Sequence, residues 1–91
     1  MLIALHALDK DGAADLRQAN RSDHLAYLEA SAAQVVMAGP LQNEMGGMIG
    51  SLIVLDLPDM DAARAWAEAD PYAKAGLFKD VQLHPWKKVI G

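Results

Sequence analysis

The stretch Ala67-Glu68-Ala69-Asp70-Pro71-Tyr72-Ala73-Lys74-Ala75-Gly76 decides how the C-terminal part of this chain folds. A helical run must end at its Asp-Pro step, because the residue before a proline is pushed out of the helical region and proline itself supplies no N–H. The chain turns at Asp70. There the carboxylate is suited to cap a second, short helix with Pro71 in its first position and Gly76 just past its end. A carboxylate in such a corner is held by backbone geometry, which makes it a good partner for a base elsewhere in the chain.

Working outward, Pro58-Asp59 opens the helix that this corner closes. Met60, Ala63 and Ala67, with Ala62 and Trp66 alongside, form its apolar stripe, while Asp61, Arg64 and Glu68 fall largely outside it. Before that helix, Met48 to Leu57 is a nearly continuous apolar run, which suits a strand covered on both faces. Beyond the corner, Phe78 to Leu83 alternates, with Val81 and Leu83 on one side and Asp80 and Gln82 on the other; Pro85 makes this an edge strand or bends it. The tail Trp86-Lys87-Lys88-Val89-Ile90 can continue past that bend towards a second subunit.

In the N-terminal half, Leu2 to Leu8 is a short apolar run bounded by Asp9-Lys10-Asp11-Gly12, which fits a buried strand. Gly12 to Asn20 has helical composition, and Ser22 is a natural N-cap in front of His24-Leu25-Ala26-Tyr27-Leu28, so the helical segment is expected to break near Ser22. Were it one continuous helix, Arg17, Arg21, His24 and Leu28 would share a face. Gln34 to Gly39 reads as a second strand ended by Gly39-Pro40, and Gln42 to Gly47 as a loop. The order strand, helix, strand, strand, helix, strand, joined by right-handed crossovers, predicts an α+β, ferredoxin-like βαββαβ domain whose antiparallel sheet carries both helices on one face. The bare face would expose several hundred square ångströms of apolar surface, about the limit for a monomer, so pairing of two sheets in a homodimer is expected.

Composition narrows the function. The 91 residues suffice for one small domain, and a hydrophobic share of 53% with only 5% aromatics points to a surplus of aliphatic residues for a subunit interface. A formal charge of −4 lacks the basic field that nucleic acid or an anionic membrane surface would require, and Lys87-Lys88 is too short to supply one. There is no cysteine, hence no disulfide and no thiolate nucleophile or metal ligand. His6, His24 and His84 are too scattered for a metal signature, and no metal or cofactor is expected. His6 reads as a packed core or interface residue and His84 as exposed. No stretch reaches signal-peptide form or membrane-span length, which makes the cytoplasm the expected location.

Taken in order, Arg21-Ser22-Asp23-His24-Leu25-Ala26-Tyr27-Leu28, Ala38-Gly39-Pro40, Gly50-Ser51-Leu52-Ile53-Val54, the segment Ala65 to Gly76 with its Asp-Pro-Tyr, and Pro85-Trp86-Lys87-Lys88-Val89 resemble the YCII-related, YciI-like family. The resemblance covers nearly the whole chain and implies one domain over residues 1–91. It implies a dimeric α/β barrel of ferredoxin-like subunits and an active site built on a histidine–aspartate pair, which falls on His24 and Asp70. It also implies that Gly39-Pro40 and Gly50-Ser51 line the same pocket. Some relatives are linked to elimination or hydrolysis of small hydroxylated aromatic compounds.

Such a pair suits proton transfer. Imidazole ordinarily titrates near ~6.5, and a carboxylate on one ring nitrogen fixes the tautomer and leaves the other nitrogen to act. His24 would take the proton, Asp70 would orient it, and Arg17 or Arg21 would bind a phenolate or carboxylate of the substrate. Tyr72 either lines the pocket or covers the core, and Ser51 lacks a nucleophile elbow. Three readings follow: the first is a small homodimeric or higher homo-oligomeric enzyme performing elimination or hydrolysis without a cofactor, and the second a module that binds a metabolite in the same pocket and breaks no bond. A plain assembly domain is the third.

Overall fold

A computed structural model describes all residues from Met1 to Gly91. In chain order the elements are β1 (Leu2–Asp9), α1 (Ala14–Ala30), β2 (Val35–Gln42), β3 (Met48–Asp56), α2 (Met60–Ala69), α3 (Pro71–Lys74) and β4 (Phe78–Pro85). The strands form one sheet in the order β2-β3-β1-β4, and every neighbouring pair is antiparallel. This is the ferredoxin-like arrangement. Register follows the side-chain alternation of β1, in which Ile3, Leu5, Ala7 and Asp9 are buried while Leu2, Ala4, His6 and Leu8 are half-buried on the opposite face.

The core joins Ile3, Leu5 and Ala7 to Ile53, Leu55 and Leu57, and is closed by Ala63 and Trp66 of α2. Each buried aliphatic side chain of this kind contributes about 1.5–3 kcal/mol through removal from water. Helix α2 is therefore the structural helix: it starts at Asp59, whose carboxylate accepts the Ala62 N–H at 2.8 Å, and it packs on β1 and β4. Helix α1 is different. Its only buried residues are Arg17 and His24, and its closest backbone neighbour is α3 rather than the sheet. The space it leaves above β2 and β3 becomes a pocket.

Three sequence expectations are corrected. The helical segment does not break near Ser22; α1 is continuous, and Ser22 sits on its exposed side, where a mid-helix serine costs only a few tenths of a kcal/mol. Gly39-Pro40 does not end the second strand. β2 runs on to Gln42 because it is an edge strand, where a proline without an N–H can face outward. β3 is not covered along both faces within the chain: on the face away from the helices Val54 is buried, but Leu52, opposite His6, is 42% exposed. Pro85 ends β4 on the other edge, and His84 is exposed as expected. No helix is long and apolar enough to cross a membrane.

Candidate active site

The corner at Asp70 is built by local rules. Helix α2 ends at Ala69, Asp70 takes an extended conformation with φ −59° and ψ 127°, and Pro71 opens α3. The Asp70 carboxylate caps α3 by accepting the Tyr72 N–H at 2.9 Å through Oδ1. After α3, Gly76 takes φ +75°, a left-handed conformation that lets the chain turn into β4. Asp70 is left 2% exposed, with its side chain aimed back at α1.

What it meets there is His24. The imidazole Nδ1 lies 2.8 Å from Asp70 Oδ1, and the two positions are 46 residues apart along the chain. An ionised carboxylate can only accept, so Nδ1 donates and carries the ring proton. In the neutral ring Nε2 then holds a lone pair; it makes no hydrogen bond within the protein, and His24 lines the pocket. The Tyr72 ring stacks on the imidazole with centroids 3.9 Å apart and planes within 13°. Two contacts, one polar and one flat, hold the ring.

Tyr72 also carries a cation: the Arg17 guanidinium carbon is 4.6 Å from its ring centroid. Arg17 is gripped from behind by Asp9, with Nε donating to Oδ2 at 2.6 Å and Nη2 to Oδ1 at 3.0 Å, and Nη2 donates again to Ser51 Oγ at 2.9 Å. Burial works against the Arg17 charge, yet hydrogen bonding and attraction to Asp9 outweigh it and hold its pKa above the usual arginine value. Nη1 makes no hydrogen bond in the protein. Burial raises the Tyr72 phenol above its ordinary value, with Arg17 and Arg21 pulling the other way, so it remains a neutral O–H donor at ordinary pH.

These groups line a pocket of about 260 Å³ between α1 and the β2–β3 half of the sheet. Its walls include Arg17, Arg21 and His24 from α1, Gly39, Pro40 and Ser51 from the sheet, and Tyr72 from the corner, with Leu25, Leu28, Met48 and Ile53 as apolar lining. Arg21 is exposed at the rim and has no ion pair. Tyr72, 1% exposed, both covers the core and lines the pocket. Gly50 is the exception among the anticipated lining residues. A Cβ there would lie 2.2 Å from the Ala7 carbonyl oxygen, so it is a close-packing glycine inside the sheet, and only its neighbour Ser51 reaches the pocket.

Sequence reasoning missed Asp9. The signal was present: alternation along Ile3, Leu5, Ala7 puts Asp9 on the same inward face, and an inward carboxylate needs a partner. A bulge between Leu8 and Asp9 in the β1–β4 ladder adjusts its aim.

The YCII-related domain profile matches residues 1–87. Protein YciI of Escherichia coli is 36% identical over 99% of this chain and 100% of its own length. Among solved structures, 5-chloro-2-hydroxyhydroquinone dehydrochlorinase of Burkholderia phenoliruptrix, in complex with 2,5-dihydroxybenzoquinone, matches with a TM-score of 0.89 and 32% identity, over 96% of this chain and 94% of that one. SnoaB, a cofactor-independent oxygenase from Streptomyces nogalater, matches with a TM-score of 0.63 at 16% identity, over 98% of this chain and 95% of that one, a likeness of fold alone.

Proposed function

The chain belongs to the YCII-related family, and on that premise we propose that it is a small-molecule enzyme in which the His24–Asp70 pair performs acid–base chemistry on a small hydroxylated aromatic ring. Elimination is the favoured reaction, with hydrolysis by an activated water as its variant. What carries the reading is the imidazole whose Nδ1–H is tied to Asp70 at 2.8 Å while Nε2, without a protein partner, faces a pocket of one-ring size. The similarity to a dehydrochlorinase that holds a dihydroxybenzoquinone supports the substrate class.

In this scheme Nε2 takes the proton of a ring hydroxyl, and Asp70 stabilises the imidazolium that forms. The negative charge left on the ligand oxygen meets Arg17 Nη1 and Arg21, and the Ser51 hydroxyl, which accepts from Arg17, has its own hydrogen free to donate. The imidazolium then returns its proton to the ring carbon that bears the leaving group, giving the neutral keto tautomer; Nε2 takes the proton of a second ring hydroxyl as the leaving group departs with its bonding pair, and the quinone remains. Arg17, Arg21, His24 and Ser51 line one pocket, and Asp70 is buried behind His24.

The functional unit in this proposal is a homodimer. Support comes from the sheet face opposite the helices, where Leu52 and Met37 are 42% and 53% exposed beside half-buried Leu2, His6 and Leu8. Sedimentation of a monomer at micromolar concentration would remove this part.

The chemistry is tested by incubating the protein with 5-chloro-2-hydroxyhydroquinone and following chloride release and quinone absorbance. His24→Ala should abolish turnover while 2,5-dihydroxybenzoquinone still binds. Absence of reaction with chlorinated and unchlorinated hydroxyhydroquinones, together with altered affinity in His24→Ala, would instead identify a metabolite-binding module.

A further inference from the structure

The last turn of α2 contains an unusual debt. In a continuing helix the Trp66 carbonyl would accept the Asp70 N–H, but at the Asp-Pro step that N–H turns to Ala67 O at 3.4 Å. The Trp66 carbonyl is taken instead by α1: the Tyr27 hydroxyl donates to it at 2.8 Å. Tyr27 lies three residues after His24 on one face of α1, and Trp66 lies one helical turn before Asp70. Two hydrogen bonds therefore run side by side from α1 to the corner, His24 to Asp70 and Tyr27 to Trp66, each 2.8 Å long.

We infer that Tyr27 is a positioning residue for the His24–Asp70 pair, acting through the Trp66 carbonyl; its effect on turnover rests on the catalytic reading above, its effect on the pair does not. A single bond between two elements leaves them free to rotate about it, and a second bond removes that rotation. The rings of Tyr27 and Trp66 touch, with centroids 4.9 Å apart and planes at 39°, but the buried Trp66 Nε1–H has no acceptor, so the hydroxyl–carbonyl bond is the polar contact that joins Trp66 to α1. Tyr27 does not line the pocket. Burial, and then the Asp70 charge, hold its phenol above the ordinary value, which keeps it a donor.

The test compares two replacements of Tyr27 in the ligand-free protein. Tyr27→Phe keeps the ring and removes the donor; 4-aminophenylalanine at the same position keeps a donor. The readout is the His24 ring proton by NMR, with ¹⁵N shifts reporting the tautomer. In the native protein one Nδ1–H signal in slow exchange is expected. Tyr27→Phe should speed its exchange about tenfold or more and admit the second tautomer, and the amino variant should restore the native signal. Turnover of 5-chloro-2-hydroxyhydroquinone should fall about tenfold in Tyr27→Phe, as small misplacements of a reacting group do. A native ring-proton signal in Tyr27→Phe overturns the proposal, even where thermal stability falls, and so does a disturbed signal in both variants. A Tyr27→Phe chain that fails to fold leaves the amino variant to decide: native there supports the tie, disturbed overturns it. If the signal responds as expected but no reaction occurs in any variant, the positioning role stands and the catalytic reading fails.

Discussion

Replacing Asp9 by asparagine isolates the cost of the ion pair behind the pocket. The side chains of Arg17 and Asp9 are 9% and 6% exposed, so the pair lies inside the protein. Asn keeps the shape and one acceptor but removes the charge, leaving the guanidinium uncompensated, and breaking a buried pair from one side costs about 3–5 kcal/mol. Two features draw the value to the lower end: Ser51 still accepts from Nη2 at 2.9 Å, and Arg17 lines the pocket. A loss of about 3 kcal/mol follows. For a domain of this size that is a fall in Tm of roughly 12–24 °C. Urea unfolding followed by circular dichroism should show a lower midpoint with an unchanged slope. The double variant Asp9→Asn with Arg17→Met removes the orphaned charge and should recover much of the loss. A single-variant loss under about 1 kcal/mol, within the range of ordinary surface changes, would refute the reasoning, as would a double variant no more stable than the single one.

Other outcomes follow from the same geometry. Asp70→Asn should keep the α3 cap, since the two residues cap equally well, yet lower turnover about 10²–10⁴-fold, the usual contribution of acid–base catalysis; circular dichroism and steady-state rates measured together would separate the two roles. Gly50→Ala drives a Cβ to 2.2 Å from the Ala7 carbonyl, whereas Gly39→Ala meets nothing within 4 Å. The first should lose about 1–3 kcal/mol in urea unfolding and the second should show no steric loss. Both tyrosine phenols titrate above the ordinary tyrosine value of about 10, chiefly because they are buried. The folded chain thus keeps these protons to higher pH than the unfolded chain, and the associated stability is intact below about pH 10 and lost as pH climbs through the raised native values. Urea midpoints measured across that window should fall, and a midpoint that rises would contradict the assignment.

Much of the fold was readable because its signals are local. The Asp-Pro step, the left-handed glycine after it and the stripe on α2 each speak about their own neighbourhood, and α3, Gly76 and α2 lie where those rules put them. The errors came from residues whose local preference was overruled by position in the fold. Ser22 is a good cap, but Arg17 and His24 are both buried on one face of α1, which requires the helix to run through. Pro40 breaks a central strand and is harmless in an outer one, a distinction that needs the strand order. The site was legible in a different way. No periodicity relates position 24 to position 70; family resemblance picked out the two residues, and the fold brings their side chains to 2.8 Å. Asp9 is accessible to plain alternation, but as the first charge after an apolar run it also looks like the boundary of the strand.

Pro40 has one more consequence. It sits on the outermost strand, at the wall of the pocket, opposite Ser51. Lacking an amide hydrogen, it interrupts the row of donors that an incoming β-segment from another chain would use to zip onto that border. Polymer growth along this side is therefore checked right beside the pocket wall.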